Sequence, residues 1–384
     1  MNNEKLGIFS VNIGLQSETF IRQHIEKLAP GNTAVVTHGI HEDGTWAVDC
    51  PLYIARNTLQ MGLDYPKLVR KLVPWSLINP GDRRGISRFL AAQGVTAILG
   101  EYLHDSWILL PIVRKLGIRF YPHAHGYDLS RFFKDELWRK RYRDYKHADG
   151  VIVVNNIMKE RLLSVGVPEK RIHLVPYGVD VPDGPRTRPR RKQTELLAVG
   201  RMVGKKAPLT LLQSFQKALD SNRELILHMV GDGVLLPDAQ RFVSEQELGE
   251  NVQLHGSKDH AFVKKLMERC DCFVQHSVLD PETGDEEGIP VSIMEAMAHA
   301  MPVISTIHAG IPDAVVDELT GFLVPEGDVE GMAARMLQLC DNVDRRIEMG
   351  VAGWNRAREK FSSRRELEDL RLVMGLSPCP EAET

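Results

Sequence analysis

Short, continuously apolar runs alternate with longer charged segments along most of the chain. LGIFSVNI (6–13), TAVVTH (33–38), VTAILG (95–100), IRFYPH (118–123), GVIVV (150–154) and IHLVPY (172–177) read as strands. Between them, stretches such as SETFIRQHIEKL (17–28) and SWILLPIVRKLG (106–117) carry helical spacing. Strands without a polar face, separated by helices, predict a parallel sheet covered on both sides. The alternation stops at VPDGPRTRPRRKQT (181–194), with three prolines and five basic residues, which reads as a linker. ELLAVG (195–200), LILHMVG (225–231), NVQLHG (251–256), CFVQHS (272–277), PVISTI (302–307) and GFLVP (321–325) then restart it. The expected fold class is α/β, with two Rossmann-like domains, 1–180 and 195–361, whose parallel sheets face across a cleft. Residues 362–384 are expected to form a helix that packs back on the first domain, and a tail. Ligands of such sheets bind beyond the carboxyl ends of the strands, so the turns after strands should carry the chemistry.

Composition narrows the class. A length of 384 residues suits two or three domains, and 43% hydrophobic with 26% charged residues is globular. With 48 Lys+Arg against 51 Asp+Glu, the net charge of −3 gives no whole-molecule field to gather nucleic acid, and the linker cations lack interleaved aromatics. No apolar run reaches the roughly 20 residues that span a bilayer, and the polar start resembles no signal peptide, so cytoplasmic residence is expected. Five scattered cysteines argue against a disulfide framework, and Cys270 and Cys272 read as buried thiols, not zinc ligands.

Four turns stand out. In EEGIPVSIMEAMAHAMPVIST (286–306), Glu287 precedes a turn made by Gly288 and Pro290, and a helix starting at Val291 carries Glu295 one turn in. Free amides at that helix start suit a diphosphate, and the two carboxylates suit sugar hydroxyls. By their spacing alone, the same glutamates read first as a solvated loop acid and a surface helix acid. In VGRMVGKKAP (199–208), Arg201 and Lys206 sit on a strand-to-helix turn where they could neutralise phosphates, with Lys205 a competing candidate. YPHAHGYDLS (121–130) places His123, His125 and Asp128 at a polar edge; a metal there would need all three. In VNIGLQSETF (11–20), Gly14 would let a ligand approach the backbone, and Ser17 would cap the next helix.

In this order, HGYD (125–128), residues 153–180, VGRMVGKKAP, VGDG (230–233), the 286–306 block and HAGIPDAV (308–315) resemble the retaining glycosyltransferases of the GT-B fold, in particular glycosyltransferase family 4. SETFI (17–21) with EGIPVSIMEAMA is similar to the subgroup of bacterial exopolysaccharide and lipopolysaccharide biosynthesis. The resemblance implies transfer of a hexose from a UDP- or GDP-sugar to a saccharide or lipid-linked acceptor with retention, without metal or other cofactor. It implies Arg201 and Lys206 on the donor diphosphate, Glu295 on the ribose, Glu287 near the donor sugar, and His125 as the active-site histidine. Gly14, Gly288, Val291 and Ser292 would complete the donor site, and Ser17, Glu18 and Asp128 the acceptor side. The chain departs from the family at Ala207, where glycine is usual, and at Pro290, which cannot donate a hydrogen bond.

Residues 64–90 and 131–148 mix cations with aromatic and aliphatic residues, which suits peripheral contact with an anionic membrane or an ordinary solvated helix face. Competing functions are a nucleotide-sugar epimerase on the same fold and an inactive partner subunit.

Overall fold

The computed structural model describes residues 4–14, 19–41, 48–55, 80–188, 191–222 and 224–377. They divide into two compact units, 1–175 with 366–384, and 176–365. The expected linker 181–194 lies within the second unit.

The first unit holds β1 (Lys5–Ile13), β2 (Thr33–Ile40), β3 (Leu52–Ile54), β4 (Val95–Glu101), β5 (Arg119–His123), β6 (Val151–Val153) and β7 (Ile172–Leu174). Their order is β3-β2-β1-β4-β5-β6-β7, with every neighbouring pair parallel. The second unit holds β8 (Thr194–Val199), β9 (Leu225–Val230), β10 (Val252–Leu254), β11 (Cys272–Val274), β12 (Val303–Thr306) and β13 (Gly321–Val324). Its order, β10-β9-β8-β11-β12-β13, is again all parallel. The strand order of each sheet reverses once, between β1 and β4 and between β8 and β11, and such a reversal opens a crevice at the carboxyl ends of those strands. The apolar runs read from the sequence are these strands, and β3 is an addition.

The segment 17–28 is described from Thr19 and winds as an α-helix over Thr19–Gln23, then as a π-helical turn over His24–Leu28. The segment 106–117 is the last residue of a short helix, Leu103–Ser106, one 3-10 turn, Trp107–Leu109, then a helix over Leu110–Leu116, whose Pro111 falls in the first turn where no amide is needed. The final helix, Ser363–Met374, buries Leu370 and Met374 in the core formed by Leu6, Ile21, Ile25 and Leu28. Burying such side chains stabilises by about 1.5–3 kcal/mol each, which ties residues 366–377 to the first unit.

The second unit closes on itself where the chain enters and leaves. The Val179 amide donates to Phe361 O at 2.7 Å and the Ser363 amide to Val179 O at 2.9 Å. Gly178 permits this, since a Cβ there would lie 2.5 Å from Ser363 Cα. Arg188 anchors the following segment by donating to the carbonyls of Met267, Cys270, His299 and Ala300 at the ends of two helices. Among the described residues no helix is long and apolar enough to cross a membrane.

Candidate active site

The second unit builds its site on the turn after β8. Gly200, Arg201 and Met202 leave the strand, Gly204–Lys206 form a single 3-10 turn, and Pro208 opens the helix Pro208–Ser221. The VGDG turn after β9 braces it: the Gly200 amide donates to Val230 O and the Met202 amide to Asp232 O. Gly231 is obligatory at φ 144°, because a Cβ would sit 1.9 Å from Gly200 O. Ala207, which follows Lys206, takes a left-handed conformation at φ 37°.

This turn aims Lys206 at the second motif. Lys206 Nζ pairs with Glu287 Oε1 at 3.0 Å, and both side chains are largely buried. Lys205, the competing candidate, is committed elsewhere: its Nζ lies 2.9 Å from Asp285 Oδ2 and donates to Glu286 O at 3.2 Å. Burial, with Lys205 and Arg201 nearby, brings the Lys206 ammonium below lysine's usual range although Glu287 opposes them. Burial acts to raise the Glu287 carboxyl, yet Lys206 and Lys205 outweigh it and hold it below its ordinary value. Arg201 remains exposed. With Lys205 committed to Asp285, Arg201 and Lys206 together carry one charge more than Glu287.

After Glu287 and Gly288, Pro290 caps the helix Val291–Ala298. The Ile293 and Met294 amides turn back to Pro290 O, so those of Val291 and Ser292 are left for a ligand. Ser292 Oγ donates to Gln275 Oε1 at 3.2 Å, linking the helix start to the end of β11. Glu295 lies one turn in, with His260 Nδ1 3.9 Å from its Oε1. Burial, with Asp180 adding to it, pushes its carboxyl up to about 7. His308, the first residue of HAGIPDAV, and Glu326, which lies in no motif, support Glu287. Its amide lies 3.3 Å from His308 Nε2, and His308 Nδ1 pairs with Glu326 Oε1 at 2.6 Å.

In the first unit, β5 ends at His123 and His125 caps the short helix Gly126–Ser130. The two rings lie 4.5 Å apart. His125 is nearly fully buried, and its Nε2 bonds Glu101 Oε2 at 2.9 Å. Burial, aided by His123, brings its pKa down to about 4. Asp128 is wholly buried, and its Oδ2 accepts the amides of Leu103 and His125, so it fixes the loop ends after β4 and β5. Gly14 follows β1 at φ 99°. Ser17, Glu18 and most of 64–90 lie outside the described residues.

Among the described residues, two buried triads have the composition of metal ligands, His24–Glu101–His123 and Glu195–His228–Cys270. Protein cations and donors already occupy their carboxylates. Glu101 is bonded by His24 and His125, and Glu195 by Arg269 at 2.7 Å on each oxygen.

Comparison with known proteins matches both halves. Residues 49–182 fit the family model described as Glycosyltransferase Family 4, and residues 185–356 fit Glycosyl transferases group 1. WcaL of Salmonella typhimurium, named for colanic acid biosynthesis, is 28% identical over 396 aligned residues, covering 93% of this chain and 95% of that protein. WcaL of Escherichia coli is 27% identical over 305 residues, covering 78% and 70%. The structure of Anabaena HepE in complex with UDP superposes with a TM-score of 0.76 at 13% identity, over 97% of this chain and 99% of that one. The fold is shared with GT-B enzymes, and the chain belongs to the group 1 and family 4 glycosyltransferases that these two matched halves describe.

Proposed function

We propose that the chain transfers a hexose from a nucleotide-diphosphate sugar to a saccharide or lipid-linked saccharide acceptor, with retention, in cell-surface polysaccharide biosynthesis. The observation that carries this reading is the Lys206–Glu287 pair, set on a cationic turn beside a helix start with two unpaired amides. Departure of the nucleotide builds charge on the diphosphate, and preorganised cations and amides lower that barrier. Arg201 and Lys206 grip the diphosphate, assisted by Val291, Ser292 and Gly288. Glu295 accepts from the ribose hydroxyls and Glu287 from the donor sugar, and the clamp does the work a metal would do. Acceptor binding falls to the first unit, where His125 is a neutral, oriented ring. The WcaL relatives, named for colanic acid biosynthesis, support the pathway class, and HepE, crystallised with UDP, supports a nucleotide donor.

Thermal-shift titration with UDP, GDP and their sugars identifies the base, because a ligand of the folded state raises its apparent stability. Arg201→Ala and Lys206→Ala should each lower turnover by about 10²-fold or more. Near-native turnover in both would remove the clamp, and activity lost to EDTA and restored by Mg²⁺ would remove metal independence.

A further inference from the structure

The end of β4 carries a group to which the transfer reading gives no task. Glu101 is fully buried at the end of an apolar strand. His24 Nδ1 bonds its Oε1 at 2.7 Å, His125 Nε2 bonds its Oε2 at 2.9 Å, and His123 Nδ1 lies 3.3 Å from the same Oε2. On its other side His24 Nε2 meets Glu366 Oε1 at 3.3 Å, and Gln23 donates to Glu366 Oε2 at 2.6 Å. Two other segments of the chain converge on this one carboxylate, and the final helix reaches it through His24.

We propose that Glu101 and His24 are positioning residues of the transfer site: Glu101, held on one oxygen by His24, uses the other to fix the ring of His125. This rests on the assignment of His125 to the reaction. A carboxylate on Nε2 selects the Nε2–H tautomer and leaves Nδ1 as acceptor, and the Asp128 amide donates to the same side chain. Phe20 and Tyr102, with ring centroids 4.6 and 4.4 Å away, pack around the ring. A buried carboxylate without a countercharge would be costly, and His24 supplies one. Burial works against protonating His24, yet Glu101 from β4 and Glu366 from the final helix hold its pKa up at about 10. The other titratable ring facing it is His123 from β5, at 5.5 Å between centroids.

Side-chain ¹⁵N NMR on the full chain tests the arrangement without substrate. At pH 8 the expected spectrum has His24 doubly protonated and His125 neutral with its proton on Nε2. A neutral His24, or His125 protonated on Nδ1, overturns the proposal, and this measurement needs no variant to fold. Glu101→Gln should then release the His125 tautomer and lower kcat by about 10²-fold, as small misplacements do. UDP affinity, measured by calorimetry, should stay unchanged, and Glu101→Asp should recover part of kcat. A folded Glu101→Gln chain with the native tautomer and native kcat refutes the positioning role. Native NMR signatures in a chain inactive towards every nucleotide sugar would instead count against the transfer reading.

Discussion

Ala207 and Glu295 each hold a state that their residue type resists. Ala207 adopts φ 37° directly after Lys206, a conformation that costs a side-chain-bearing residue roughly 1–2 kcal/mol. Ala207→Gly should therefore raise stability by about 1 kcal/mol in chemical denaturation; no gain, or a loss, would show that the turn is not strained. Glu295 titrates near 7 where glutamate ordinarily titrates near 4.5, because burial and Asp180 disfavour its charged form. With the folded value raised, the stability it contributes is present below about 4.5 and declines as pH rises through 7. The proposed role of Glu295, accepting from ribose hydroxyls, is served better by the opposite, ionised form. Affinity for a UDP-sugar, whose diphosphate does not titrate here, should weaken by up to about tenfold per unit below pH 7. Glu295→Gln should flatten that profile, and a flat profile in the unmodified chain would remove Glu295 from the ribose.

The strands were legible because burial on both faces leaves runs of apolar residues with no polar register. β3 was not, being three residues long at the edge of its sheet with its side chains only partly buried. The stretch 181–194 misleads for a related reason: proline and arginine there read as solvated, whereas Arg188 satisfies four carbonyls at the ends of two helices. Arg188→Ala would leave those helix ends short of donors and should cost the second unit about 2 kcal/mol, read from a urea midpoint. A change within error would mean that water replaces the guanidinium. The cationic turn and the two glutamates were legible because each lies in a short motif after a strand. Glu101 was hidden because its partners stand 77 and 24 residues away, and a lone acid closing an apolar run carries no spacing signal.

Across the whole molecule, the first unit is discontinuous, and residues from Glu366 onwards complete it. Ending the chain at Arg365 removes Glu366, Leu370 and Met374, hence part of the countercharge of His24 and two core side chains. Hydrogen exchange on that shortened chain should show the first unit losing protection while the second keeps it; equal protection in both would make the final helix dispensable. The same pair sets a pH window. The stability contributed by protonated His24 is fully present below about 6.5 and is lost as pH rises through about 10.

The return of the chain to its first unit also orders its synthesis. All thirteen described strands are translated before Glu366, so the nascent first unit waits with Glu101 and His24 lacking part of their shell while the second unit already has its whole sequence. The unit whose synthesis begins first, and which would ordinarily fold first, therefore depends on a helix made after both sheets.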